Sequence, residues 1–148
     1  MIATVAATAW TTLIAACEAA WPREACGWVS GDGDVATDVH PARPGGTETF
    51  AFADDDLIAL IAAYRYGPAP RLLYHSHPRG PAAMSAADRA ALAPGGAVLH
   101  PLPHLIVAVR AGRAEDATLY QWRDGAPVIA AGVVRNPDGT WHPREAAA

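Results

Sequence analysis

The stretch Arg71-Leu72-Leu73-Tyr74-His75-Ser76-His77-Pro78, running on through Arg79-Gly80-Pro81-Ala82-Ala83-Met84 to Ser85-Ala86-Ala87-Asp88, decides the reading of this chain. Arg71 to Tyr74 opens a buried strand bounded by Pro70 and Pro78, because a short apolar run between prolines is what a covered strand looks like. Side chains two apart on a strand point to the same face. His75 and His77 can therefore converge on one ion while Ser76 points away. Two imidazoles and a nearby carboxylate suit zinc, which takes nitrogen and oxygen ligands in tetrahedral geometry. A hydrolytic zinc site supplies three protein ligands and leaves the fourth position to water. The expected three are His75, His77 and Asp88.

Asp88 needs a second element to reach the ion. After the loop at Arg79-Gly80-Pro81, the run from Ser85 to Leu92 reads as a short helix. Ser85 stands at its N-cap and Asp88 three residues on, which is close to a capping box. Capping alone accounts for Ser-x-x-Asp, and caps are far commoner than metal sites. The two readings are compatible, since a helix start laid over the end of the histidine strand fixes both hydroxyl and carboxylate near the ion.

Outward from this segment, Trp10, Leu13, Ile14, Cys17 and Trp21 recur at helical steps and stop at Pro22. Gly27 to Ser30 and Val35 to His40 flank Gly31-Asp32-Gly33-Asp34, a hairpin signal. A loop spans Pro41 to Glu48, then Phe50-Ala51-Phe52 reads as a short strand. Asp54-Asp55-Asp56 opens a second helix, where three carboxylates suit the positive end of the helix dipole. Their neighbours lack the spacing of a calcium loop. Breaks at Pro94-Gly95-Gly96 and Pro101-Leu102-Pro103 precede a buried strand from His104 to Val109. Thr118 to Arg123 and Val128 to Val134 pair around Asp124-Gly125. This order predicts a mixed α/β sheet covered by helices: one domain over residues 1–135 and a polar, loose tail over 136–148.

The 148 residues suffice for one real core. Eleven arginines against fifteen acidic residues give a net charge of -4, with no basic run, so nucleic acid is not an expected partner. Two cysteines make no disulfide framework and have no zinc-motif spacing. Cys17 reads as core, and Cys26 as a small buried hydrophobe or a reactive thiol. The apolar start carries no basic residue before Arg23, unlike a secretory signal, and Glu18 interrupts any membrane span. The chain reads as cytoplasmic, with no membrane partner. His40, His100, His104 and His142 read as surface or cap histidines without a partner at ligand spacing. His104 lies nearest in sequence to a strand that could border the cleft. Trp28 and Trp122 read as core or sheet-face residues, and Trp141 as an exposed contact.

His-x-His, seven residues, then Ser-x-x-Asp resembles the signature of the JAMM metalloproteases, the catalytic branch of the MPN domains. Pro22-Arg23-Glu24-Ala25-Cys26-Gly27-Trp28-Val29-Ser30-Gly31 is similar to that family's upstream glutamate segment, with Glu24 as the match. The resemblance covers about residues 8 to 134. One departure is Met84 before the serine, where a proline or another loop-shaping residue is expected. The resemblance implies an α/β/α sandwich with a mixed, curved sheet of the cytidine-deaminase-like kind. It implies zinc on His75, His77 and Asp88, with Glu24 as the proton-transferring base and Ser85 as the oxyanion donor. It further implies cleavage after a carboxy-terminal Gly-Gly. In a chain this short, like the small prokaryotic members, the expected substrate is a ubiquitin-like or sulfur-carrier protein; the oligomeric state stays open. Two other readings stand beside it: a non-catalytic MPN-type scaffold, and a zinc amidohydrolase acting on a small amide. A zinc nucleoside deaminase fits less well, since its His-x-Glu and Pro-Cys-x-x-Cys pattern is absent.

Overall fold

The histidine strand runs from Pro70 to His77 and is buried along nearly its whole length, as its apolar run between prolines requires. The computed structural model describes residues 2–45 and 52–145. In chain order the elements are α1 (Ala7–Ala20), β1 (Cys26–Ser30), β2 (Asp38–Pro41), α2 (Asp54–Tyr66), β3 (Pro70–His77), α3 (Ala86–Leu92), β4 (His104–Arg110), β5 (Arg113–Arg123), β6 (Ala126–Arg135) and β7 (Trp141–Pro143). The strands form one sheet in the order β2-β1-β3-β4-β5-β6-β7. β3 and β4 are parallel, and the other neighbours are antiparallel. A parallel pair needs a long crossover. Here the crossover carries α3, and it brings Asp88 back over the end of β3.

The period of two along β3 divides the core. Leu72 and Tyr74 pack with Trp10, Leu13, Ile14 and Cys17 of α1. Leu73 packs on the other face with Leu60 of α2 and Leu92 of α3. One helix thus covers one face and two cover the other, which is the expected α/β/α sandwich on a mixed sheet. His75 and His77 share the parity of Leu73 and so emerge on the α2–α3 face.

Local signals hold where the chemistry is local. At the β5–β6 turn, Asp124 has φ 51° and Gly125 φ 76°, the left-handed pair that a two-residue hairpin demands. α1 ends just before Trp21-Pro22 as its periodicity indicates. Phe50 and Ala51 lie outside the described residues; Phe52 is not in a strand, and its ring packs edge-on against Trp28.

Three further expectations change. β5 begins at Arg113, five residues before the expected start. Arg113, Glu115 and Asp116 hide the strand from a hydrophobicity pattern, yet Ala114 among them and Ala117 just after them are buried. The tail from Asn136 is not loose: Trp141–Pro143 pairs with β6. Trp141 is no exposed contact either, since its ring meets Trp10 edge-on at 5.1 Å, beneath the Arg135 guanidinium. Trp141 packs against the core on the α1 side, where Trp10 is buried. Among the described residues no helix is long and apolar enough to cross a membrane.

Candidate metal centre

His75 and His77 stand side by side on one face of β3, their ring centroids 4.9 Å apart. The two Nε2 atoms are 3.1 Å from each other. Asp88 closes the triangle, with Oδ2 2.9 Å from Nε2 of His77 and Oδ1 3.3 Å from Nε2 of His75. All three residues are buried. Tetrahedral ligands at bonds of about 2.0–2.1 Å stand roughly 3.3 Å apart, so this triangle has the dimensions of a metal site.

The far sides of the two rings settle which nitrogen can ligate. Nδ1 of His77 donates to the carbonyl of Pro81 at 2.8 Å, since a carbonyl only accepts. In the neutral ring that leaves a bare lone pair at Nε2. Nδ1 of His75 is likewise engaged, 2.6 Å from Nε2 of His104. Two imidazole nitrogens and a carboxylate aimed at one point have the donor chemistry of a cation site. His75, His77 and Asp88 can therefore hold a metal ion.

A proton competes for the same place. Burial lowers the pKa of His77, but its bonds to Asp88 and Pro81 outweigh that and raise it. Burial keeps His75 low. For Asp88, burial pushes upward, yet hydrogen bonding from both rings holds the carboxyl well below the usual range.

The start of α3 fixes this carboxylate. Ser85 N–H donates to Asp88 Oδ2 at 3.0 Å, and Asp88 N–H donates to Ser85 Oγ at 3.0 Å. The capping box and the metal arrangement thus coexist. The box holds the carboxylate by one oxygen while both oxygens face the histidines.

Glu24 arrives from the segment entering β1. Ser76, pointing away from the histidine face, accepts the Ala25 N–H on its Oγ at 2.8 Å, and its own N–H donates to the Ala25 carbonyl at 2.9 Å. Cys26 sits opposite His75 in the register of β1 on β3. These bonds tie the glutamate to the histidine strand. Arg23 does not pair with Glu24; its guanidinium binds the carbonyls of Pro44 and Gly45. The Glu24 side chain is buried, and its Oε2 has no hydrogen-bond partner among the described residues. Burial pushes its pKa up to about 7, with His77 opposing and Asp88 reinforcing. A cleft of about 500 Å³ is lined by Glu24, His77, Pro78, Arg79, Met84 and Ser85. Every residue expected at the site is therefore in one place.

His104 is the residue sequence reasoning placed wrongly. It is 1% exposed and touches a ligand candidate, so it is neither a surface nor a cap histidine. Its partner is visible only once β3 and β4 are known to lie parallel, with Leu73 beside His104. Tyr120, which the sequence reading did not single out, also supports the site: its hydroxyl accepts the Met84 N–H at 3.0 Å, a bond that a proline at 84 could not make. The other histidines are not among the ligand candidates. His40 stacks on Trp28, His100 on Tyr64, and His142 lies exposed in β7. Cys26 is buried with its thiol pushed up to about 12 by burial, so it reads as packing and not as a nucleophile.

No curated protein matches the chain. Solved structures do. A solution structure from Desulfitobacterium hafniense is 23% identical, with TM-score 0.55, over 95% of this chain and 88% of that one. A solution structure from Salinibacter ruber is 24% identical, with TM-score 0.55, over 96% and 88%. The crystal structure of a JAB1/MPN domain protein from Archaeoglobus fulgidus is 18% identical, with TM-score 0.50, over 84% and 90%. At these identities the likeness is one of fold. The description of prokaryotic homologs of the JAB domain matches residues 6–123, a span that carries every element from α1 through β5 together with Glu24 and the three metal-ligand candidates, and the chain belongs to that family.

Proposed function

We propose that this protein is a zinc-dependent metallopeptidase that hydrolyses peptide or isopeptide bonds after the carboxy-terminal Gly-Gly of a ubiquitin-like or sulfur-carrier protein. One observation carries the reading. Three buried ligand atoms converge at the edge of a cleft that His77 lines together with Glu24, whose buried carboxylate has an oxygen with no hydrogen-bond partner among the described residues. Two imidazoles and one carboxylate form a zinc ligand set that leaves a position open. Zinc held by His75, His77 and Asp88 would supply a Lewis acid and would bring the pKa of a bound water toward neutrality.

Glu24 takes a proton at Oε2 from the attacking water and passes it to the departing amine, a task suited to a buried carboxylate whose Oε2 makes no other hydrogen bond among the described residues. In the capping bond Ser85 uses its hydroxyl oxygen as acceptor. Its proton therefore remains available to an oxyanion in the cleft, where loss of one donor costs roughly a hundredfold in rate. A diglycine has no side chains to exclude from a narrow cleft, and an extended tail can pair with a sheet edge.

The test incubates zinc-loaded protein with ubiquitin-like and sulfur-carrier proteins extended beyond Gly-Gly and reads intact masses. A product ending at Gly-Gly, absent with Glu24→Gln at matched zinc content, is the expected result. No cleavage of any member by protein with confirmed zinc would turn the reading toward a small amide, for which a cleft of about 500 Å³ is also ample, or toward a non-catalytic scaffold.

A further inference from the structure

We propose that His104 is a positioning residue of the metal centre: its Nε2 accepts the Nδ1 proton of His75 and so fixes both the tautomer and the orientation in which His75 can bind a metal. The inference rests on the metal reading of the centre and is independent of the peptidase chemistry.

The argument starts from proton counting. His75 Nε2 is the nitrogen that faces His77 and Asp88. To ligate, it must present a lone pair, so the single proton of the neutral ring sits on Nδ1. That Nδ1 lies 2.6 Å from Nε2 of His104, a distance that leaves room for one proton between the two nitrogens. His104 must then accept, and its own proton belongs on Nδ1. The reverse arrangement, with His104 donating, puts the proton of neutral His75 on Nε2 and blocks ligation. One proton position on His104 therefore decides whether His75 is a ligand.

The two ligand histidines are held differently. His77 is oriented by the Pro81 backbone carbonyl, which can only accept. His75 is oriented by a side chain that could serve either way, and so depends on how that side chain is placed. His104 is the first residue of β4, beside Leu73 in the parallel register, and is 1% exposed. Its ring meets that of His75 at 64° with centroids 4.8 Å apart, edge toward edge and not stacked. It shares the parity of Ile106 and Ala108, so the strand presents it to the metal face. Partners of this kind fix ligand geometry in metal sites, and losing one costs about 10–100-fold in metal affinity.

Zinc affinity is measured by chelator competition on wild type, His104→Phe, His104→Gln and, as a lost-ligand reference, His77→Ala. Gln offers an amide oxygen near the position of Nε2, whereas Phe fills the space with no acceptor. The expected result is a loss of about 10–100-fold for Phe, recovery to within about threefold for Gln, and loss of tight binding for His77→Ala. Nitrogen NMR of the zinc-loaded wild type is expected to show His104 protonated at Nδ1. Phe binding as tightly as wild type, Gln losing as much as Phe, or His104 protonated at Nε2 would each overturn the proposal. If Phe does not fold, Gln and the wild-type tautomer decide it. Wild type that binds no zinc, or binds it no better than His77→Ala, overturns the metal reading itself and the proposal with it.

Discussion

Glu24 carries the clearest pH signature in the molecule. Burial raises its pKa to about 7 in the fold, against about 4.3 for an unfolded glutamate. The folded state therefore holds the proton more tightly than the unfolded state does. The stability this contributes is fully present below the unfolded value and is lost as pH rises through the folded one. Glu24→Gln keeps the shape and removes the titration. Metal-free wild type is accordingly expected to lose stability relative to Glu24→Gln between about pH 4 and 7, and to stay level above that, read from denaturant melts at each pH. A difference that stays flat across that range would mean that Glu24 ionises as freely as it does in solvent. A divalent cation nearby favours the carboxylate, so the acid limb of kcat/KM belongs below 7 in the loaded enzyme.

At the scale of elements, the site depends on how α3 is delivered over β3. The loop that delivers it is held from both sides: His77 binds the Pro81 carbonyl, and Tyr120 of β5 accepts the Met84 N–H. Met84 stands where the family pattern suggested a proline or another loop-shaping residue, and the two devices do the same work differently. Proline stiffens the chain from within, whereas Met84 uses its N–H to anchor the loop to a neighbouring strand. Tyr120→Phe removes only the acceptor and is expected to cost about 1 kcal/mol, together with faster hydrogen exchange at the Met84 amide. Unchanged exchange there would show that the loop is held without Tyr120. Elements written in local chemistry were legible in the sequence. The histidine strand, α1 with its Pro22 stop, the Ser85 cap and the Asp124-Gly125 turn each need only their own residues. The first half of β5 was not legible. Its charged residues interrupt the apolar pattern, and its burial comes from α1 and β4, which no window of sequence contains.

For the whole molecule, the same division separates the ligands from their support. His75, His77, Asp88 and Glu24 could be named from spacing and resemblance. His104, Tyr120 and the Trp141 lock on Trp10 emerge only from strand order and the meeting of distant segments. Four separate segments meet at the centre: the entry to β1, the end of β3, the start of α3 and the start of β4. An unfolded chain holds none of this geometry beyond a bare His-x-His. A metal that binds the fold and scarcely binds the unfolded chain must stabilise the fold by mass action. At free zinc about a hundred times its dissociation constant the gain is about 2.7 kcal/mol, which for a domain of this size raises Tm by roughly 5–10 °C. Added chelator is expected to return Tm to its starting value, and Asp88→Ala, which lacks one ligand, to show a much smaller rise. A wild-type Tm that zinc leaves unmoved, with stoichiometric binding measured in the same sample, would mean that the unfolded chain binds the ion as well as the folded one. The ion would then be held by local sequence and not by the convergence of β3, α3 and β4.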